Sequence, residues 1–215
     1  MTSLLRSLAG PVRRVYVYGT GTYRRHRGSP CFAGFASSSG AGEGGEVEKQ
    51  TEKERTTNSL KRYELHATGA GGTTTTTVRG HTIRTDLPKK MGGKDEHPQP
   101  VEYLLAALVG CEQATAAFVA RQMKPRMLLK GMTFEYVGVR DDRGATSLPL
   151  DTPAPVPARL VSVKGTATVH LVEGTETLER IDELRRITEA RCPVANTLSA
   201  GGVELDIRWV VSANL

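Results

Sequence analysis

The stretch Leu104-Leu-Ala-Ala-Leu-Val109 carries no polar side chain. Six residues make nearly two turns of α-helix, so a helix here is apolar on almost every side. Such a helix is stable in water only when other structure surrounds it. Pro100 suits a first helical position and Pro125 ends the segment, which predicts a helix over about Val101–Arg121. The rest of the chain, or a partner chain, must enclose it. No apolar stretch is read as reaching the roughly 20 residues of a membrane span, so no membrane partner is expected.

The surrounding elements follow from local pattern. Arg62–Ala67 and Thr73–Arg79 read as strands joined by a turn at Gly69 to Gly72, and Thr82–Thr85 as a short return strand after Arg79-Gly80-His81. Leu87–Pro100 is a loop, since its prolines and glycines break regular structure. After the helix, Met132–Arg140 is strand-like, and the four prolines within Asp141–Ala158 make that segment a loop or insertion. Val161, Val163, Gly165, Ala167, Val169 and Leu171 alternate with Ser162, Lys164, Thr166, Thr168 and His170, the pattern of a half-buried strand. Leu178, Ile181, Leu184 and Ile187 give a helical stripe over Thr175–Ala190. A short helix after Pro193 stops at Gly201-Gly202, and Val203, Leu205, Ile207 and Trp209 alternate along a last strand. The order β-β-β-α-β-β-α-α-β fits an α+β antiparallel fold.

The net charge of +6 belongs to the N-terminus. Residues 1–40 hold six arginines, no lysine and no acid, and residues 41–215 hold 23 basic and 23 acidic residues. The folded part thus has no bulk basic excess, and no nucleic-acid partner is expected. An Arg-rich, acid-free, Ser- and Gly-rich leader with leucines at helical spacing has the composition of a mitochondrial transit peptide, while the apolar run of a secretory signal is missing. The expected organisation is a transit peptide over 1–40, a disordered linker over 41–59 and one folded domain over 60–215, with the mitochondrial matrix as its location. No Cys-x-x-Cys or His-x-x-x-His spacing and no phosphate-binding glycine loop occurs, so no bound metal or cofactor is expected.

Cys111 lies in the apolar helix and Cys192 in Arg191-Cys-Pro-Val-Ala-Asn196, 81 residues on; Cys31 falls in the leader. Pro193 favours a first helical position, which makes Cys192 the N-cap of the next helix. Free N–H groups, the helix dipole and Arg191 would there stabilise a thiolate. Cys111 has no local activator: Glu112 has the wrong sign, so a reactive Cys111 needs a cation from elsewhere in the fold. If the fold joins the two sulfurs they form a redox pair. If not, they are ordinary buried cysteines.

Pro100-x-Glu102-x-Leu104-Leu-Ala-Ala-x-x-Gly110-Cys111, followed by Cys192-Pro-Val-x-Asn196, resembles the OsmC/Ohr family of hydroperoxide-reducing proteins over about Leu60 to Val211. The resemblance implies an intertwined homodimer, with antiparallel sheets around a buried central cysteine-bearing helix. It implies a peroxidatic role for Cys111 and a resolving role for Cys192 in reducing organic hydroperoxides through a sulfenic acid and an intramolecular disulfide. It also implies an external dithiol reductant, dihydrolipoyl groups of lipoylated proteins among the Ohr members. Those members carry a glutamate directly after the motif proline, where this chain has Val101; Glu102 follows and matches the OsmC-like branch. Nine residues of helix rotate roughly 180°, so Glu102 is expected opposite Cys111. The arginine that stabilises the thiolate comes from the N-terminal strands, where Arg84 is preferred over Arg79. Two other readings stay open: a non-enzymatic homodimer binding an apolar small ligand, and a dithiol redox sensor.

Overall fold

The computed structural model describes residues 15–17, 21–22, 60–172 and 178–212. The leader and linker lie outside these residues, apart from two short strands, β1 (Val15–Val17) and β2 (Gly21–Thr22). Described residues fall into two compact units, one within Met1–Arg25 and Val101–Leu215, the other within His26–Pro100.

The unit within His26–Pro100 is a three-stranded antiparallel sheet of β3 (His66–Ala70), β4 (Thr73–Val78) and β5 (His81–Thr85). The threonine run is its central strand, as β-branched residues favour. Arg79 and Gly80 both have positive φ and close a two-residue hairpin between Val78 and His81. The first strand begins later than the sequence predicts, at His66 instead of Arg62, because the turn at 71–72 fixes which residues face the threonines. Asp86, fully buried, organises the following loop: its carboxylate accepts from Thr73 Oγ1 (3.1 Å) and from the N–H groups of Leu87 (2.8 Å), Lys94 (3.1 Å) and Glu96 (3.1 Å). The Glu96 N–H leads in holding its pKa down to about 2, against the opposing effect of burial.

The other unit contains α1 (Pro100–Gln122), β6 (Leu129–Arg140), a one-turn helix α2 (Arg143–Thr146), β7 (Leu160–Leu171), α3 (Leu178–Arg191), α4 (Pro193–Ala200) and β8 (Glu204–Ser212). Its sheet runs β1-β8-β7-β6, with β2 also on β8. β6 and β7 pair antiparallel, but β7 and β8 pair parallel, so one pair departs from the antiparallel expectation. A parallel pair needs a long crossover, and α3 with α4 supplies it. The proline-rich segment read wholly as loop contains the α2 turn. The alternation along β7 holds from Val163 to Leu171 and reverses before it: Val161 is exposed and Ser162 buried. The register shift opposite Val139 and Arg140 explains this, since a bulge moves side chains to the other face.

One core joins α1, β7, α3, α4 and β8, through Leu108, Ala116, Val163, Ile181, Leu184 and the fully buried Trp209. Gly138 on β6 lets α1 approach, since a Cβ there would sit 3.0 Å from Leu105. The expectation that α1 is buried on every side is not met within one chain. Leu108, Glu112, Ala116, Val119 and Ala120 are buried, while Leu104 and Phe118 stay 39% and 46% exposed. By length and composition α1 would also pass for a membrane span, contrary to the sequence reading, although it contributes five buried residues to this unit.

Candidate functional site

The site forms where α3 ends and α4 begins. Pro193 has no N–H to continue α3, so the chain breaks and restarts with Cys192 as N-cap (φ −75°, ψ 110°). The Ala195 N–H donates to Cys192 Sγ at 3.5 Å. Asn196 spans the break, its Nδ2 donating to Cys192 O (2.8 Å) and Glu189 O (3.0 Å). The asparagine of the Cys-Pro-Val-Ala-Asn run thus fixes the angle between two helices.

The fold brings Cys192 to Cys111. The Cys111 side chain acts on the Cys192 thiol and helps to raise it, and both are free cysteines. Cys111 lies at mid-helix in α1, half-buried at the edge of the core, and Cys192 has no exposed surface. The N-cap is as the sequence predicts, but the acidity is not. Burial pushes the Cys192 thiol up to about 12; the Ala195 N–H opposes this, while Cys111 and the charge of Glu112 add to it. Desolvation outweighs the helix terminus, so Cys192 is a neutral thiol at neutral pH.

Glu112, dismissed in the sequence for its sign, is part of the site. It is 2% exposed, and Tyr136 Oη from β6 donates to its Oε2. Burial raises its pKa to about 7; the Tyr136 hydrogen bond lowers it and the charge of Glu189 raises it. Tyr136 is itself shifted upward by burial and then by Glu112, and its ring meets Phe134 edge to face at 5.6 Å. Behind them Glu189 pairs with Arg185 at 2.8 Å, and Arg185 also reaches Asp182 at 2.8 Å. Burial raises Glu189 although Arg185 opposes it. The sequence signal for Glu112 is a lone acid beside a cysteine in a helix with little else to solvate it.

The remaining sequence-predicted residues lie elsewhere. Glu102 is exposed in the first turn of α1, and the helix runs unbroken to Gln122, so it faces away from Cys111. Arg84 is exposed on β5 opposite Thr75, and Arg79 is in the hairpin turn; both belong to the other compact unit. Arg191 is exposed at the end of α3. Val101 lines a cavity of about 340 Å³ with Leu104, Arg140, Arg159, Leu198 and Val203. No cluster of three His, Cys, Asp or Glu fit to hold a metal occurs among the described residues.

The profile of the OsmC-like protein family matches residues 93–208. No curated protein matches the chain. Among solved structures, an OsmC-like protein from Mycoplasma pneumoniae superposes with a TM-score of 0.56 at 20% identity, covering 71% of this chain and 99% of that one. An OsmC-like protein of unknown function from Vibrio cholerae gives 0.54 at 16% identity, with 69% and 99% covered. An organic hydroperoxide resistance protein from Elizabethkingia anophelis gives 0.51 at 19% identity, with 73% and 99% covered. At these identities the likeness speaks for the fold.

Proposed function

The chain belongs to the OsmC-like protein family, and from that premise we propose that it is a thiol-dependent peroxidase acting on organic hydroperoxides. The observation that carries this reading is that the fold brings Cys111 and Cys192, 81 residues apart in sequence, close enough to act on each other. Two free thiols that the fold brings together are one two-electron oxidation from a disulfide. In the proposed cycle the Cys111 thiolate attacks the terminal oxygen of a hydroperoxide. The O–O bond breaks, an alcohol leaves, and Cys111 becomes a sulfenic acid. Cys192 attacks that sulfur, water departs and a disulfide forms, which an external dithiol such as a dihydrolipoyl group reduces. Arg84 is the cation proposed to stabilise the Cys111 thiolate in the assembled protein.

The proposal includes a homodimer, with a second copy covering the exposed side of α1 that carries Leu104 and Phe118. It also includes import into the mitochondrial matrix directed by residues 1–40. The test is consumption of cumene hydroperoxide with dihydrolipoamide, together with mass spectrometry for a Cys111–Cys192 disulfide. Turnover lost in Cys111→Ser supports the reading. No turnover with any dithiol, and no disulfide after peroxide, refutes it. The cavity beside Val101 favours a second reading, a homodimer that binds an apolar small ligand without turnover.

A further inference from the structure

We propose that the cavity beside Val101 binds a small organic anion, a monocarboxylate on an apolar chain, with Arg159 as the anchor of its head group. The inference rests on the second reading for the cavity being a ligand site, and it does not need turnover at the thiols. Neither Cys111 nor Cys192 lines this cavity. Thr197, Leu198 and Gly201, at the C-terminal end of α4, do. Cys192 caps the other end, about 12 Å away along eight residues of helix.

The wall is apolar. Buried Leu160, Leu198 and Val203 form it, with Val101 and Leu104 from α1. At about 340 Å³ the cavity lies at the small end of ligand pockets, which run from about 300 to 1,000 Å³. Arg159 is the exposed cation among the lining residues, so an apolar interior adjoins a positive charge in contact with water. That pairing suits an amphipathic ligand, with its chain inside and its head group at the arginine.

The other charges at the cavity are already matched. Asp141 is held by Arg143, whose Nε and Nη2 donate to it at 3.0 and 2.6 Å. Arg140 pairs with Asp142 at 2.6 Å. Arg159 has no carboxylate partner among the described residues; its Nη1 donates to Leu160 O (3.2 Å) and to Gly202 O. Gly202, at φ +83°, makes room for this, since a Cβ there would sit 3.0 Å from Arg159 Nη2. Two main-chain carbonyls thus hold the guanidinium through one nitrogen. Nε and Nη2 are left as parallel donors with no acceptor among the described residues. Such a fork matches the two oxygens of a carboxylate. One unmatched positive charge balances a carboxylate, whereas a phosphate monoester brings close to two negative charges.

The experiment titrates the full-length reduced protein with octanoate, 1-octanol and butyrate by isothermal titration calorimetry, with thermal unfolding of each variant as a check on folding. Octanoate is expected to bind; 1-octanol lacks its charge and butyrate most of its chain, and each should bind about 10-fold more weakly or worse. Arg159→Met removes the charge and keeps an unbranched chain. It is expected to weaken octanoate about 10-fold while 1-octanol stays within about threefold. Arg159→Lys keeps the charge without the fork and should fall between the two. Ala145→Trp fills the cavity from α2 and should abolish binding of both octanoate and 1-octanol.

Octanoate and 1-octanol binding alike, both blocked by Ala145→Trp and neither changed by Arg159→Met, refutes the anion anchor and leaves the apolar-ligand reading standing. No binding of either, as a second copy filling the cavity would give, refutes both. Octanoate binding that survives Ala145→Trp lies elsewhere on the protein and overturns the proposal. Monooctyl phosphate binding about 10-fold more tightly than octanoate overturns the carboxylate assignment.

Discussion

Replacing Glu112 by glutamine is expected to stabilise the protein at alkaline pH and to change that advantage with pH in a calculable way. The carboxyl titrates at about 7 in the folded state, mainly through burial, against an ordinary 4.5. A raised carboxyl means that the folded state holds its proton more tightly than the unfolded state does. Below pH 4.5 both states are protonated and ionisation costs nothing. Between 4.5 and 7 the unfolded chain ionises first, and the wild type loses stability as pH rises. Above 7 the loss is complete, on the order of 3 kcal/mol. The substituted side chain does not titrate, and its amide oxygen still accepts from Tyr136 Oη. Its NH₂ group adds a buried donor that costs about 1–3 kcal/mol at every pH if unpaired. The decisive quantity is therefore the change in the difference between the two proteins from pH 4 to pH 8. Urea denaturation of reduced protein, at fixed protomer concentration, measures it. Glu189, also raised by burial, is common to both proteins and largely cancels. A difference constant to within about 1 kcal/mol from pH 4 to pH 8 would refute the reasoning.

Two further outcomes test the architecture around the site. Gly165→Ala would place a Cβ 2.0 Å from Glu135 O and 2.9 Å from the Tyr136 ring; urea denaturation is expected to show a loss of at least about 3 kcal/mol, and a loss below about 1 kcal/mol would count against the β6–β7 register. Asp86→Asn replaces one accepting oxygen with a donor, so hydrogen exchange at the Lys94 and Glu96 amides, or at Leu87, should speed up; in the wild type this protection is full above pH 3.8 and lost only as pH falls through about 2.

Much of the frame is written locally. Pro100 and Pro125 bound α1 to within a few residues, because a missing N–H acts on its own turn whatever the rest of the chain does. Cys-Pro sets the N-cap of α4 for the same reason, and the alternation along β7 is visible until the bulge at Val161, opposite Val139 and Arg140, reverses it. The bulge itself is a property of the pairing with β6 and has no mark in β7 alone. Parallel pairing of β7 with β8 is likewise hidden, since alternation does not carry strand direction.

At the site the sequence by itself determined the two cysteines and the helix terminus that presents one of them. Only the tertiary structure decided that Cys111 and Cys192 interact, that burial raises the Cys192 thiol and that Glu112 is buried and hydrogen-bonded by Tyr136. Helix ends and strand periods arise from neighbours within a turn or two. Desolvation and charge coupling arise from groups distant in the chain. Here they outweigh the local helix terminus at Cys192 and raise the buried Glu112 carboxyl to about 7.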